Sequence, residues 1–133
     1  MKKYVFDSYS LLAFLEDEPG ADLVERVLRD ILKGRAKGFL SVINLGEIYY
    51  ITLREQGSEV AEGVIELLAG YPLRLIDADW SLTKEAAALK GKYRVAYADC
   101  FAAALGLKNN AAVLTGDPEF KQLEKEVEIL WLP

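Results

Sequence analysis

Residues 96–120 read AYADCFAAALGLKNNAAVLTGDPEF, and this stretch decides the fold class. Its first part, from Ala96 to Leu107, is rich in alanine and is typical of a helix. The run from Ala112 to Leu114 is short and apolar without polar alternation, as in a strand that is covered on both faces. A helix that leads into such a strand indicates an α/β domain with a parallel sheet.

The same alternation of strands and helices extends over the rest of the chain. Further strands are predicted over residues 3–6, 39–41, 73–76 and 127–130. Helices are predicted over residues 10–15, 21–32, 43–54, 59–69 and 80–89, with a loop at 90–94 and a short helix at 118–123. We therefore expect a three-layer α/β/α sandwich around a parallel sheet.

The length and composition fit a single domain over residues 1–133. A chain of 133 residues with 52% hydrophobic and 28% charged residues can bury one core, and no tract suggests disorder. The apolar run that follows the basic start is cut short by Asp7, and no stretch reaches the ~20 apolar residues of a membrane helix. We expect a soluble, cytoplasmic protein with no membrane contact.

The absence of histidine excludes much common chemistry. The chain has no His and one Cys, Cys100, so a Ser-His-Asp triad, a Cys-His pair and a histidine general base are ruled out. A zinc site would need several Cys or His ligands. Any metal must therefore be a hard ion that prefers oxygen, such as Mg²⁺ or Mn²⁺. Cys100 is expected to pack in the core.

The net charge of −5 argues against a protein that holds nucleic acid on a broad basic face. It does not argue against a nuclease whose acids are masked by metal ions. The net charge is therefore an argument against RNA binding, which the evidence for a specific site must outweigh.

Three acids occupy positions where a parallel α/β sheet binds its ligands, beyond the carboxyl ends of the strands, and a fourth lies in an apolar helix where it could face them. Asp7 follows the first strand, Glu47 the second and Asp117 the fourth. Asp99 lies in the first turn of the helix that leads into the fourth strand. The topology therefore allows all four to meet.

Each acid also has a purely structural explanation. Asp7 could cap the turn that follows it, and Glu47 could close a capping box on Asn44. Asp99 could favour a helix N-terminus, and Asp117 precedes a proline and would be a good N-cap. The conjunction of all four acids is what favours a site.

Electrostatics makes a cation the economical partner for such a group. Two carboxylates about 4 Å apart at an effective dielectric of 20 repel by ~4 kcal/mol. No histidine and no adjacent lysine is available in the sequence to neutralise them. Mg²⁺ binds one or two carboxylates together with substrate phosphate, which suits phosphodiester chemistry.

Four segments carry a resemblance to a known family. They are Tyr4 to Ser8, Asn44 to Glu47, Tyr97 to Asp99 and Leu114 to Phe120, in which Thr-x-Asp-x-x-Phe follows a buried strand. With these segments the chain resembles a PIN domain, specifically the VapC-type toxins of prokaryotic toxin-antitoxin pairs. The resemblance runs nearly end to end.

The resemblance implies a fold, a site and partners. The strand order would be 3-2-1-4-5, and the metal-binding and catalytic acids would be Asp7, Glu47, Asp99 and Asp117. Ser8, Asn44 and Thr115 would be their supporting polar neighbours. The activity would be a ribonuclease dependent on Mg²⁺ or Mn²⁺, and the partners an antitoxin and a second copy of the chain. Apolar residues that could form the homodimer face are Tyr49, Tyr50, Leu53, Val60, Val64 and Leu67.

The expected mechanism is hydrolysis. The acids would hold one or two ions that lower the pKa of a water for in-line attack on the phosphate, leaving a 5′-phosphate and a 3′-hydroxyl. Candidates for RNA binding are Lys90, Lys92, Arg94 and Arg54, each of which could equally be a solvated surface residue.

Two other interpretations of the sequence remain open. A phosphoaspartate-type domain would also place Asp7 after the first strand. The receiver version needs an acidic pair and a lysine that are missing, and the dehalogenase version needs an Asp where Tyr9 stands. The other interpretation is a PIN-like module that binds RNA or protein but does not cleave RNA.

Overall fold

Five strands form one parallel sheet in the computed structural model, which describes all 133 residues. The strands are β1 (Lys2–Phe6), β2 (Ala36–Ser41), β3 (Leu73–Ile76), β4 (Ala112–Thr115) and β5 (Ile129–Trp131). Their order is β3-β2-β1-β4-β5, and every neighbouring pair is parallel. The predicted fold class and strand order are confirmed.

Helices connect the strands on both faces of the sheet. They are α1 (Ser8–Leu15), α2 (Ala21–Leu32), α3 (Val42–Gln56), α4 (Ser58–Ala69), α5 (Trp80–Lys92) and α6 (Tyr97–Asn109), with a 3₁₀ helix over Pro118–Leu123. None of these helices combines the length and hydropathy that a membrane span requires.

Two cores, one on each face of the sheet, explain the three layers. Successive residues of a strand point to opposite faces. Val5 of β1 accordingly packs into a core of 17 buried residues that includes α5 and α6. Its neighbour Phe6 packs into a second core of 13 buried residues with α1 to α4. Strands buried on both sides are apolar throughout, which is why they lack polar alternation.

The loop predicted at 90–94 is wrong for its first three residues, because α5 continues to Lys92. The Tyr93 amide still donates to the carbonyl of Leu89 at 2.9 Å, and the Lys90 ammonium donates to the Val95 carbonyl at 2.9 Å. Gly91 lies on the exposed side of the helix, where a glycine is tolerated. The lysine side chain therefore helps to close the helix end.

Strand β2 begins three residues earlier than predicted, at Ala36. A Cβ at Gly38 would lie 2.6 Å from side-chain atoms of both Ile31 and Leu73, so any other residue would displace these two side chains, and the glycine lies within the strand without ending it. Strand β5 is shifted toward the C-terminus, because the amide of Val127 closes a turn on the carbonyl of Leu123 at 3.0 Å.

The register of the central strands positions the functional edge. Phe6 of β1 pairs with Leu114 of β4. The next residues along, Asp7 and Thr115, therefore lie side by side at the carboxyl edge of the sheet, where α1 begins and β4 ends.

Candidate active site

Asp7 is fixed at the centre of this edge by its position as the N-cap of α1. The Ser10 amide donates to its Oδ1 at 2.8 Å, and the Thr115 hydroxyl donates to its Oδ2. The residue is fully buried, and burial raises its pKa to about 6 against these two hydrogen bonds, with some repulsion from Asp117. Each carboxylate oxygen keeps a further lone pair for a ligand.

Glu47 projects from the second turn of α3. The Ser8 hydroxyl donates to its Oε1 at 2.7 Å, and the Asn44 amide nitrogen lies 3.5 Å from the same atom. The capping-box explanation of Glu47 is wrong, because the N-cap of α3 is Ser41, whose hydroxyl accepts from the Ile43 amide at 3.1 Å. The hydrogen bonds orient one oxygen of Glu47 and leave Oε2 free.

Asp99 is the most perturbed acid of the protein. It lies in the first turn of α6 and is 6% exposed. Burial raises its pKa to about 8, with further contributions from four acids whose charges repel it, in decreasing order Asp117, Asp7, Glu47 and Glu119. Asp99 therefore lies close enough to the other four acids for the charge of each to raise its pKa.

Asp117 and Glu119 complete the cluster, and Glu119 was missed from the sequence. Carboxylate oxygens of Asp99, Asp117 and Glu119 all lie within 4.8 Å of one another. The Glu119 Oε1 accepts a hydrogen bond from the Ala96 amide at 3.0 Å, so this side chain also ties the 3₁₀ helix to the start of α6. The signal in the sequence was its spacing two residues after Asp117, across a proline.

The predicted supporting residues make the expected contacts with the acids. Thr115 donates to Asp7 and accepts from the amide of Asp117 at 3.0 Å. Ser8 and Asn44 both hold Glu47. These polar neighbours fix the orientation of the carboxylates but bring no positive charge.

No cation of the chain neutralises the cluster. The ion pairs of the structure join Arg29 to Glu25, Lys92 to Glu126 and Lys108 to Glu85, and none includes a cluster acid. Repulsion between uncompensated buried carboxylates is costly. A positive charge from outside the chain is the simplest way to relieve it.

A divalent ion fits the residues that are present. All available donors are oxygens, as Mg²⁺ and Mn²⁺ prefer. The buried Asn44 Oδ1 has no hydrogen-bond partner, while the Nδ2 of the same amide reaches Glu47 Oε1 and, at 3.2 Å, the Ala98 carbonyl. Two acceptors on the nitrogen fix the amide orientation, so the oxygen is left for a donor such as water, which Mg²⁺ normally retains.

The four predicted RNA-binding residues have different environments. Lys92 is paired with Glu126 at 3.0 Å, and the Lys90 ammonium binds the Val95 carbonyl at 2.9 Å. Arg94 is exposed and forms no ion pair, just before α6. The guanidinium of Arg54 lies 5.4 Å from the Tyr50 ring centre, about 10 Å along α3 from Glu47.

Comparisons with solved structures agree on the fold. Over 98% of this chain and 99% of the other, it superposes with TM-score 0.78 and 17% identity on VapBC2 from Rickettsia felis, bound to a promoter DNA fragment. The DNA-bound VapBC of Salmonella typhimurium gives TM-score 0.75 and 18% identity, with 98% of both chains covered. The VapC20 toxin of Mycobacterium tuberculosis, described as cleaving the sarcin-ricin loop, gives 0.74 and 15%, covering 98% and 99%.

No curated protein matches the chain by sequence. A family model does match, and it extends over residues 4–126, from β1 through the acids of the carboxyl edge to the segment before β5. With the parallel sheet in the order β3-β2-β1-β4-β5 and a match over nearly its whole length, this chain belongs to the PIN domain family.

Proposed function

We propose that this protein is an endoribonuclease dependent on Mg²⁺ or Mn²⁺ and the toxin of a type II toxin-antitoxin pair. The observation that carries the proposal is the set of acids from four segments that meet around Asp99, whose own pKa is raised, with no cation of the chain paired to any of them. A structural role for these acids would not require them to face one another. A site for a divalent ion does require it.

The side chains of the proposed site divide into ligands and residues that orient them. Asp7, Glu47, Asp99 and Asp117 hold the ion in this proposal, and the oxygens of Glu119 lie close enough to Asp99 and Asp117 to join them. When bound, a divalent ion supplies a lowered water pKa and neutralises charge on the phosphate.

The protonation of Asp99 links this site to pH. With its pKa at about 8, the Asp99 carboxyl holds a proton near neutral pH in the absence of a cation. It releases that proton when a positive charge arrives, since ligation needs the carboxylate form. Thr115 and Ser10 meanwhile hold the Asp7 carboxylate in one orientation, so its geometry is set before a substrate binds.

The proposed toxin role is supported by the solved structures that share this fold. The solved structures with the same architecture include VapBC proteins from Rickettsia felis and Salmonella typhimurium and a toxin described as cleaving the sarcin-ricin loop. In our proposal the chain likewise cleaves RNA and is inhibited by an antitoxin, a small protein encoded next to it.

The proposed homodimer is supported by apolar side chains that the monomer leaves exposed. Tyr50 and Leu53 on α3 and Val60 and Leu67 on α4 are exposed, although they are large and hydrophobic. Isolated apolar residues on a surface are common, but a group on two adjoining helices favours a partner. Light scattering of the purified chain tests this, and a monomer at all concentrations contradicts it.

Cleavage of a single-stranded RNA by the purified chain tests the activity. We expect cleavage with Mg²⁺ or Mn²⁺, none with a chelator, and products with 5′-phosphate and 3′-hydroxyl ends. A 2′,3′-cyclic phosphate would contradict the proposal, because it would make the RNA 2′-oxygen the nucleophile. Intact RNA together with carboxylate-independent RNA binding would instead identify a module that binds without cleaving.

Expression in cells tests the toxin role separately. We expect the chain to arrest growth, the Asp99→Asn variant to be tolerated, and the product of a neighbouring short reading frame to restore growth. Growth arrest that is equal in both variants would reject the assigned acids.

A further inference from the structure

An exposed aromatic ring, that of Tyr9, borders the acids. Tyr9 is the second residue of α1, two positions after Asp7, and is 45% exposed. Its neighbours Ser8 and Ser10 are buried, and their polar groups contact Glu47 and Asp7. The tyrosine between them is turned outward at the rim of the same site.

Gly116, the residue directly after β4, lies against this ring. A Cβ added to Gly116 would overlap Tyr9 Cε1 and lie 3.0 Å from its Cζ. Gly116 does not have the positive φ that would call for glycine on conformational grounds, unlike Gly20, Gly34 and Gly57. A side chain at this position would therefore have to displace the tyrosine ring.

This contact fixes where the ring lies relative to the chemistry. Gly116 joins Thr115, which donates to Asp7, to Asp117, whose oxygens lie within 4.8 Å of those of Asp99. One edge of the Tyr9 ring rests on this backbone, and the rest of the side chain reaches solvent. A large, held, exposed aromatic surface beside a phosphate-binding site is what stacking on an unpaired base requires.

We propose that Tyr9 is a base-stacking residue of this site, with the base of one nucleotide next to the cleaved bond seated on its ring. The proposal rests on the ribonuclease function proposed above. It adds a residue that positions the substrate, because an unpaired base has a free face to place on the ring. It also assigns Gly116 the role of making room for the ring.

The test compares Tyr9→Leu with wild type on one single-stranded RNA whose cleavage site has been mapped. We expect kcat/KM to fall about ten-fold, within the range that aromatic-to-aliphatic changes cause at stacking sites. The Tyr9→Phe variant keeps an aromatic face and should recover most of this loss. Leu107→Ala, an exposed apolar residue at the far end of α6, should behave as wild type.

An abasic spacer moved along the RNA identifies stacking specifically. At one position next to the cleaved bond, removal of the base should slow wild type to the level of Tyr9→Leu and leave that variant unaffected. Gly116→Ala must displace the ring, so its cleavage rate should likewise be unaffected by removal of the base at that position. This variant tests the proposal even if Tyr9→Leu folds poorly. Mn²⁺ binding, measured by calorimetry in each variant, shows whether the acids are intact.

The outcomes separate the two proposals. Wild-type kcat/KM in Tyr9→Leu, or an equal loss on every abasic substrate, overturns the stacking role while the ribonuclease function stands. Failure of the wild-type chain to cleave any RNA with Mg²⁺ or Mn²⁺ overturns both.

Discussion

Acids in two regions of this protein have opposite surroundings. At the carboxyl edge of the sheet, burial and four neighbouring carboxylates raise the pKa of Asp99 to about 8. Before β5, by contrast, Glu126 accepts hydrogen bonds from the Tyr93 hydroxyl at 2.6 Å and the Lys92 ammonium at 3.0 Å. These two contacts hold the pKa of Glu126 below its ordinary value.

The difference distinguishes an acid whose charge is neutralised by contacts within the fold from acids whose charges are not. The chain supplies Glu126 with its own cation and donor, so its charge is satisfied when the protein folds. The cluster around Asp99 receives hydroxyl and amide donors but no positive charge. In the proposed metal site, a cation from solution would complete these electrostatics.

The largest contrast should appear in activity. Asp99→Asn should lower kcat/KM for RNA by more than about 100-fold, since it removes a ligand, and changes to residues that only support ligands already cost 10–100-fold. Glu126→Gln is the matched carboxylate-to-amide control and should stay within about two-fold of wild type. Equal losses in the two variants would remove the distinction between the regions.

A smaller loss should follow when an orienting hydrogen bond is removed. Thr115→Val deletes the hydroxyl that binds Asp7 and should weaken Mn²⁺ binding by about 10–100-fold. Thr52→Val changes a threonine that is also buried but lies on α3 away from the acids, and calorimetry should show wild-type affinity. Unchanged affinity in Thr115→Val would mean that Asp7 needs no positioning.

The pH dependence of stability should differ between the two regions. The pKa of Asp99 is higher in the folded chain than its ordinary 3.8, so its folded form holds the proton more tightly. Metal-free stability should therefore be greatest below about pH 4 for this group and fall as pH rises through about 8.

Comparison of variants isolates that contribution. At pH 8.5 without metal, Asp99→Asn should be more stable than wild type, and the gain should shrink as the pH is lowered and vanish near pH 4. Chemical unfolding at a series of pH values measures both. The Glu126→Gln variant should show the opposite trend, a small loss of stability above about pH 4.5 that disappears at lower pH, because the pKa of Glu126 is lowered in the folded chain. An Asp99→Asn curve parallel to wild type would contradict the raised pKa.

The smallest effect concerns RNA binding by the basic residues near α6. Arg94 has no acidic partner, so Arg94→Ala should reduce the salt slope of single-stranded RNA binding by about 0.7. Lys92 is already paired with Glu126, so Lys92→Ala should reduce it less. Equal slopes for wild type and Arg94→Ala would exclude Arg94 from the RNA path.

The sequence was sufficient for the sheet because its strands are short apolar runs buried on both faces, and Val5 and Phe6 serve the two cores separately. Asp7 could be placed at the sheet edge because it directly follows β1. These features depend on local pattern and on the rules of parallel sheets.

The features that escaped prediction depend on contacts between distant segments. Glu119 joins the acids only because the 3₁₀ helix brings it against the amide of Ala96, 23 positions away. The unpartnered oxygen of Asn44 depends on a contact with the Ala98 carbonyl, and the end of α5 on the reach of Lys90 to Val95. No periodicity in the sequence encodes such side-chain contacts.

Titration calorimetry of the metal-free chain with Mn²⁺ at pH 7, repeated in buffers of different ionisation enthalpy, tests the central claim most directly. We expect saturable binding with release of about one proton per chain, because Asp99 with its pKa at about 8 must ionise to bind the ion. In Asp99→Asn the proton release should disappear and the affinity should fall. Absence of binding, or binding that is identical in the two proteins, would contradict the account.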